Sequence, residues 1–224
     1  MNLKKSLLLI AAILLIDQIT KIYVKTHFAY QESVVVFSWF KILFIENEGA
    51  AWGTKLSDIF PVTDSTGKLI LTVFRVIAVF GIGYWLFDAV RKKLSKTLIL
   101  AVSLIFAGAL GNILDSVFYG LIFDESTREH VATLFADEPY GALCHGKVVD
   151  MLHFPFIENK MWPSWVPYFG GKTFSFFEPV FNIADMAIST GVGILIFFNK
   201  KAFPKNKPQE GSIVEEANEG ISQD

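Results

Sequence analysis

A carboxylate inside an apolar run long enough to cross a membrane is the feature that most constrains this chain. The run is Phe181–Phe198, FNIADMAISTGVGILIFF, and the acid is Asp185. A helix needs roughly 20 residues, at about 1.5 Å rise each, to cross a hydrocarbon core. A carboxylate at the centre of such a helix costs about 2.5–3.5 kcal/mol on insertion scales, and less near the helix end. Asn182, Asp185 and Ser189 are spaced three and four residues apart, which puts them on one helix face. An acid in a first turn is also favoured by the helix dipole. This segment alone therefore leaves two readings open, a functional carboxylate and a helix-start acid.

Three further runs have comparable apolarity: Leu3–Val24, Leu69–Phe87 and Leu98–Leu121. Hydrophobic residues make up 52% of the 224 and charged ones 19%, which is the balance of a membrane protein. The expected fold is an all-α membrane protein with four transmembrane helices. The first run follows Lys4 and Lys5 as a signal peptide would, but continues into Asp17, Gln18 and Lys21 with no small-residue cleavage site. It reads as a retained first helix. The formal net charge of -2 gives no basic surface for nucleic acid. Cys144 is the single cysteine, so an internal disulfide and a multi-cysteine metal site are excluded.

Half of the chain's 20 Lys and Arg residues flank the four runs on one side: Lys4, Lys5, the Arg91–Lys96 cluster, and Lys200 to Lys207. The positive-inside rule then makes both termini cytoplasmic and the two long connections external. In the first connection Val34, Val36, Phe40, Ile42 and Phe44 alternate, which predicts one or two strands, a small extracytoplasmic sheet between helices one and two. In the second, Phe123–Gly146 is rich in acids and reads as an exposed insertion, about 122–146. Met151–Pro179 is crowded with Trp, Tyr and Phe, a composition suited to the headgroup layer. Residues 1–203 form the expected transmembrane domain and 204–224 a polar, disordered cytoplasmic tail.

The orientation brings Asp17, Asp115 and Asp185 to similar depth in the outer half of the membrane, with Asp150 just outside it. Gly108, Asn112 and Asp115 share a face of the third helix, and Gly108 with Gly111 admits a close neighbour. Asp17 and Lys21 stand four residues apart, as a self-neutralising pair. Clustered carboxylates suit either a water-activating aspartyl dyad or a proton or cation relay. Against a carrier, the chain shows no internal repeat and no paired interrupted helices. His27, His130, His145 and His153 lie outside the runs and form no H-E-x-x-H motif.

These segments resemble the lipoprotein signal peptidases, the type II signal peptidases of bacteria. Asp17-Gln18 with Lys21 is similar to their D-Q-x-x-K segment, and Asn47-Glu48-Gly49-Ala50-Ala51-Trp52 to their N-x-G-A-A-F/W stretch. Gly108–Asp115 resembles G-G-x-x-G-N-x-x-D-R, Val149-Asp150 the V-D-F block, and Phe181–Asp185 the F-N-x-A-D block. The resemblance implies a catalytic pair, Asp150 and Asp185, supported by Asp17, Lys21, Asn47, Gly49, Asn112, Asp115 and Asn182. It implies a prolipoprotein substrate cut before a diacylglyceryl-modified Cys, contact with membrane lipids, and inhibition by globomycin-type cyclic peptides. It implies no metal and no cofactor. Ser116 stands where the family has Arg, and Arg75, at comparable depth on the second helix, is the expected replacement partner for Asp115. A different intramembrane aspartyl protease is the alternative reading.

Overall fold

The computed structural model describes residues 1–48, 60–155, 157–161, 163–168, 171, 173–176 and 179–204. Gly49 and the Ala50–Trp52 stretch lie outside the described residues, as does the tail beyond Pro204.

The apolar runs form helices, each begun by a residue suited to the task. Helix α1 is Leu3–His27, α2 is Asp64–Arg91 and α3 is Lys96–Leu114. Asn2, Thr63 and Ser95 cap them, each accepting a bond from the backbone N–H three residues on. A π-helical turn, Asp115–Tyr119, and a short α4, Gly120–Ile122, extend α3. Three helical stretches among the described residues are long and apolar enough to cross a membrane: Leu3–His27, Asp64–Arg91 and Lys96–Ile122. The fourth run is shorter than its apolar length predicts. Val180–Phe181 is strand β6, Asn182 is an N-cap, and only Ile183–Phe197 is helix α5. Its 15 residues fall below the usual spanning length. A last turn, α6, covers Asn199–Ala202.

Helix α3 is central and touches α1, α2 and α5. The α3–α5 contact is close because glycines line it. A Cβ on Gly108 would lie 2.1 Å from the Ala184 carbonyl oxygen, and one on Gly191 2.6 Å from that of Ala101. Backbone atoms cannot step aside, so Gly108→Ala is expected to destabilise the folded protein by about 1–3 kcal/mol or more. Gly193, with nothing within 4 Å of its Cβ position, serves as the control, and Gly193→Ala leaves stability unchanged or raised. Thermal unfolding of both variants in detergent checks this pair. Outward from the bundle, α1 and α2 present Leu8, Phe74 and Phe80, as expected where the solvent is lipid.

The alternation in the first connection gives β1, Ser33–Phe37, and β2, Phe40–Asn47, paired antiparallel. The sheet is larger than a hairpin between the first two helices. β3, Val148–His153, comes from the second connection and pairs antiparallel with β2, and β6 completes the order β1-β2-β3-β6. A separate pair, β4 (Ile157–Met161) and β5 (Thr173–Phe176), lies beside it in sequence. The acidic insertion also departs from expectation. Phe123 and Ala132 are buried, packed with Val24, Phe44, Tyr119, Val149 and Met151. Part of the insertion thus joins the core behind the sheet through Phe123 and Ala132, while Glu125, Glu129, Asp137 and Glu138, and also Phe135 and Leu143, stay exposed.

Candidate active site

Lys21 is the hub of the site. Its side chain is wholly buried, and its ammonium lies 2.9 Å from Asp17 Oδ2 and 2.8 Å from Asp115 Oδ2. It also donates to Asn112 Oδ1 at 2.8 Å. An ammonium carries three donors, and these three acceptors take them. The Asp17–Lys21 pair is thus not self-contained: it reaches the third helix. The expected Asp115–Arg75 pairing is corrected by the same contact. Lys21 neutralises Asp115, whereas the Arg75 guanidinium acts electrostatically on Asp185. Helical depth matched Arg75 to Asp115, but depth says nothing about which way a side chain points around its helix.

Asn112 relays the hub to the last helix by donating from Nδ2 to Asp185 Oδ1 at 2.8 Å. Asn182 does more than start α5. It makes a full capping box, accepting from the Asp185 N–H at 2.9 Å while its own N–H donates to Asp185 Oδ2 at 3.2 Å. Its side-chain amide then donates to Asp150 Oδ1 at 2.8 Å, to the Val149 carbonyl at 3.2 Å and to Asn112 Oδ1 at 3.1 Å. Asp185 and Asp150 are therefore bonded to the same residue. The helix-start reading of Asp185 holds, and the same cap brings its carboxylate beside the group bonded to Asp150. The cap fixes the carboxylate that the site presents.

Asp150 sits at the middle of β3, opposite Ile45 of β2, and is 5% exposed. Asn47, on the same face, hydrogen-bonds its carboxylate. Burial first, and the nearby Asp185 second, push the Asp150 carboxyl up to about 7. Lys21, Asn182 and Asn47 pull in the opposite direction. Of the nine residues the motifs select, eight therefore converge: Asp17, Lys21, Asn47, Asn112, Asp115, Asp150, Asn182 and Asp185. Gly49 is the ninth, outside the described residues.

Four groups of the site were not among the expected residues. Gln18 donates from Nε2 to Asp115 Oδ1 at 2.9 Å and to Asp17 Oδ2 at 3.1 Å, and Tyr119 OH donates to Gln18 Oε1 at 3.2 Å. The Ala184 N–H, at the start of α5, donates to Asp17 Oδ1 at 2.9 Å. The Val149 N–H donates to Asp115 Oδ2 at 3.3 Å. Gln18 had a signal, since it lies between Asp17 and Lys21. Backbone donors leave none in a sequence. Among the described residues no group of three or more His, Cys, Asp or Glu side chains is arranged to hold a metal ion.

Residues 9–199 match the family described as signal peptidase (SPase) II. The chain belongs to that family. It is 44% identical over 190 residues to a lipoprotein signal peptidase of Porphyromonas gingivalis, spanning 84% of this chain and 79% of the relative. A lipoprotein signal peptidase of Amoebophilus asiaticus is 32% identical over 190 residues, 81% of this chain and 71% of its own. A bacterial membrane enzyme solved by the in meso method at 1.9 Å shares the fold, with a TM-score of 0.56 at 24% identity over 90% of this chain and 96% of that one. Membership of the signal peptidase II family makes the chain a peptidase, and its apolar helices fit a membrane protein.

Proposed function

We propose that the chain is a membrane-embedded aspartyl endopeptidase. It removes signal peptides from diacylglyceryl-modified prolipoproteins, cutting just before the lipidated Cys. The observation that carries this reading is the joint hold of Asn182 on Asp150 and Asp185, with Asp150 buried and its proton affinity raised. Two carboxyls so placed do not both ionise cheaply, and one proton is shared. The ionised member takes a proton from water as it attacks the scissile carbonyl. The protonated member donates to the carbonyl oxygen, and the roles reverse as the amine leaves. Asn112 and Asn182 orient the pair, while Lys21 places one positive charge between the two carboxylates behind it.

Positive-inside flanks put both termini in the cytoplasm of a bacterial inner membrane and the carboxylate pair at its outer face. The short α5 completes four spans with help from its flanking turns. Residues 1–203 are the peptidase domain and 204–224 a dispensable tail. Globomycin-type cyclic peptides inhibit the enzyme on this reading. The deciding assay presents purified protein with a diacylglyceryl-modified prolipoprotein peptide and the same peptide without lipid. Cleavage before the lipidated Cys alone is expected. Equal cleavage of both peptides would favour an intramembrane protease of broader substrate range.

A further inference from the structure

A second buried charge cluster stands behind the sheet, outside the catalytic constellation. Lys25, one turn beyond Lys21 on α1, is fully buried and pairs with Glu46, which is 4% exposed. The same ammonium donates to Ser126 Oγ at 2.8 Å, and Ser126 Oγ donates to Glu46 Oε1 at 3.3 Å. It also lies 5.1 Å from the ring centres of Phe123 and Tyr140 and 5.9 Å from that of Phe44. From the other side Lys147 Nζ lies 3.5 Å from Glu46 Oε2 and also pairs with Glu125. The Lys147 N–H donates to Tyr140 OH at 2.8 Å. Ser126, Phe123, Tyr140 and Glu125 all belong to the insertion.

The register shows what this cluster holds. Glu46 pairs with Val149 and Asn47 with Val148. Successive side chains on a strand point to opposite faces. Glu46 and Val149 therefore turn toward the insertion, while Asn47 and Asp150 turn toward the carboxylate pair. A one-residue slip of either strand would turn its side chains to the opposite face. We propose that the Lys25–Glu46–Ser126 cluster is a positioning device, through which the insertion clamps the back of β2 and β3 and holds Asn47 on the Asp150 carboxylate. Lys25 and Glu46 act through Asn47, the residue next to Glu46, and not on substrate. The proposal rests on the aspartyl reading above.

The test uses full-length protein purified in detergent and follows cleavage of the lipid-modified peptide across roughly pH 5–9. Asp150 is faced by Asp185 and Asn182 from the α5 side, Lys21 from α1 and Asn47 from β2. Asp150, the carboxyl of raised proton affinity, is the member that holds the shared proton. The Asn47 bond favours its ionised form, so loosening that bond raises its proton affinity further and moves the alkaline limb of the profile toward higher pH. Lys25→Met is expected to shift that limb by about 0.5–1 pH unit with KM little changed, while Lys25→Arg keeps the parent's profile. Ser126→Ala, a milder cut from the insertion side, shifts it the same way by less. A folded Lys25→Met protein with an unmoved limb overturns the proposal, even if it melts earlier. Should Lys25→Met fail to fold, an unmoved limb in Ser126→Ala overturns it equally. Asp150→Asn is assayed alongside. If that variant cleaves normally, the aspartyl reading itself fails; if it is inactive and the limb is unmoved, only the clamp fails.

Discussion

Asp150→Asn and Asp185→Asn are each expected to lower turnover by on the order of 10²–10⁴, the range ascribed to positioned acid–base groups, while the protein still inserts and folds. The amide keeps the shape of the side chain and can still meet Asn182, but it neither takes a proton from water nor gives one to a carbonyl. The double variant should be little worse than either single one, because the pair acts as a unit. In the parent, activity should be bell-shaped in pH, with its two apparent pKa values belonging to the pair. Near-normal cleavage by either purified single variant would remove the proposed dyad.

The same substitution carries a stability signature of opposite sign. The folded Asp150 carboxyl is raised from 3.8 to about 7, so the folded chain binds more protons than the unfolded one between those values. Its ionised form is therefore a penalty on the fold, absent below about pH 4 and complete above about pH 7. That penalty has an upper bound of about 4 kcal/mol. Asp150→Asn should melt higher than the parent at pH 8, with the difference shrinking toward pH 4. A variant that melts lower than the parent at pH 8 would contradict the burial argument.

Lys21→Met is expected to remove the folded protein almost entirely. It leaves Asp17 and Asp115 buried side by side without their shared cation. Breaking one buried pair costs about 3–5 kcal/mol, and here two carboxylates lose their partner at once. That is comparable with the whole stability of a typical domain, about 5–15 kcal/mol. Lys21→Met with Asp17→Asn and Asp115→Asn should recover much of the folded yield, because neither carboxylate that Lys21 bridged is then left charged without it. Gel filtration and thermal unfolding in detergent read this out. A Lys21→Met protein as stable as the parent would show that Lys21 is not the hub.

Helical spacing and depth were enough to place Asp17, Asn112, Asp115, Asn182 and Asp185 together, because helices fix which residues share a face and how far each lies along the axis. Asp150 was different. It sits on a strand, and its role came from the resemblance of Val149-Asp150 to a family block. The pairing of β2 with β3 joins residues about a hundred positions apart, and no local pattern encodes such a contact. Arg75 was misassigned because azimuth around a helix depends on packing. The insertion looked solvent-exposed because Asp124, Glu125 and Glu129 dominate its composition, while Phe123 and Ala132 carry its buried side. Lys25 did leave a trace: it continues the Asp17, Lys21 spacing by four along one helix face.

The bonds that close the site join the first and third helices to the last apolar one, Asp17 to Ala184 and Asn112 to Asp185. A ribosome delivers these groups in sequence order. Until the last apolar segment has entered and docked, Asp150 lacks Asn182, Asp17 lacks its helix-start donor, and one of the two proposed catalytic acids has not yet arrived. On the proposed aspartyl mechanism, a nascent chain without that segment cannot yet cleave. Proteolytic competence arrives with topological completion, a safeguard written into the order of the segments.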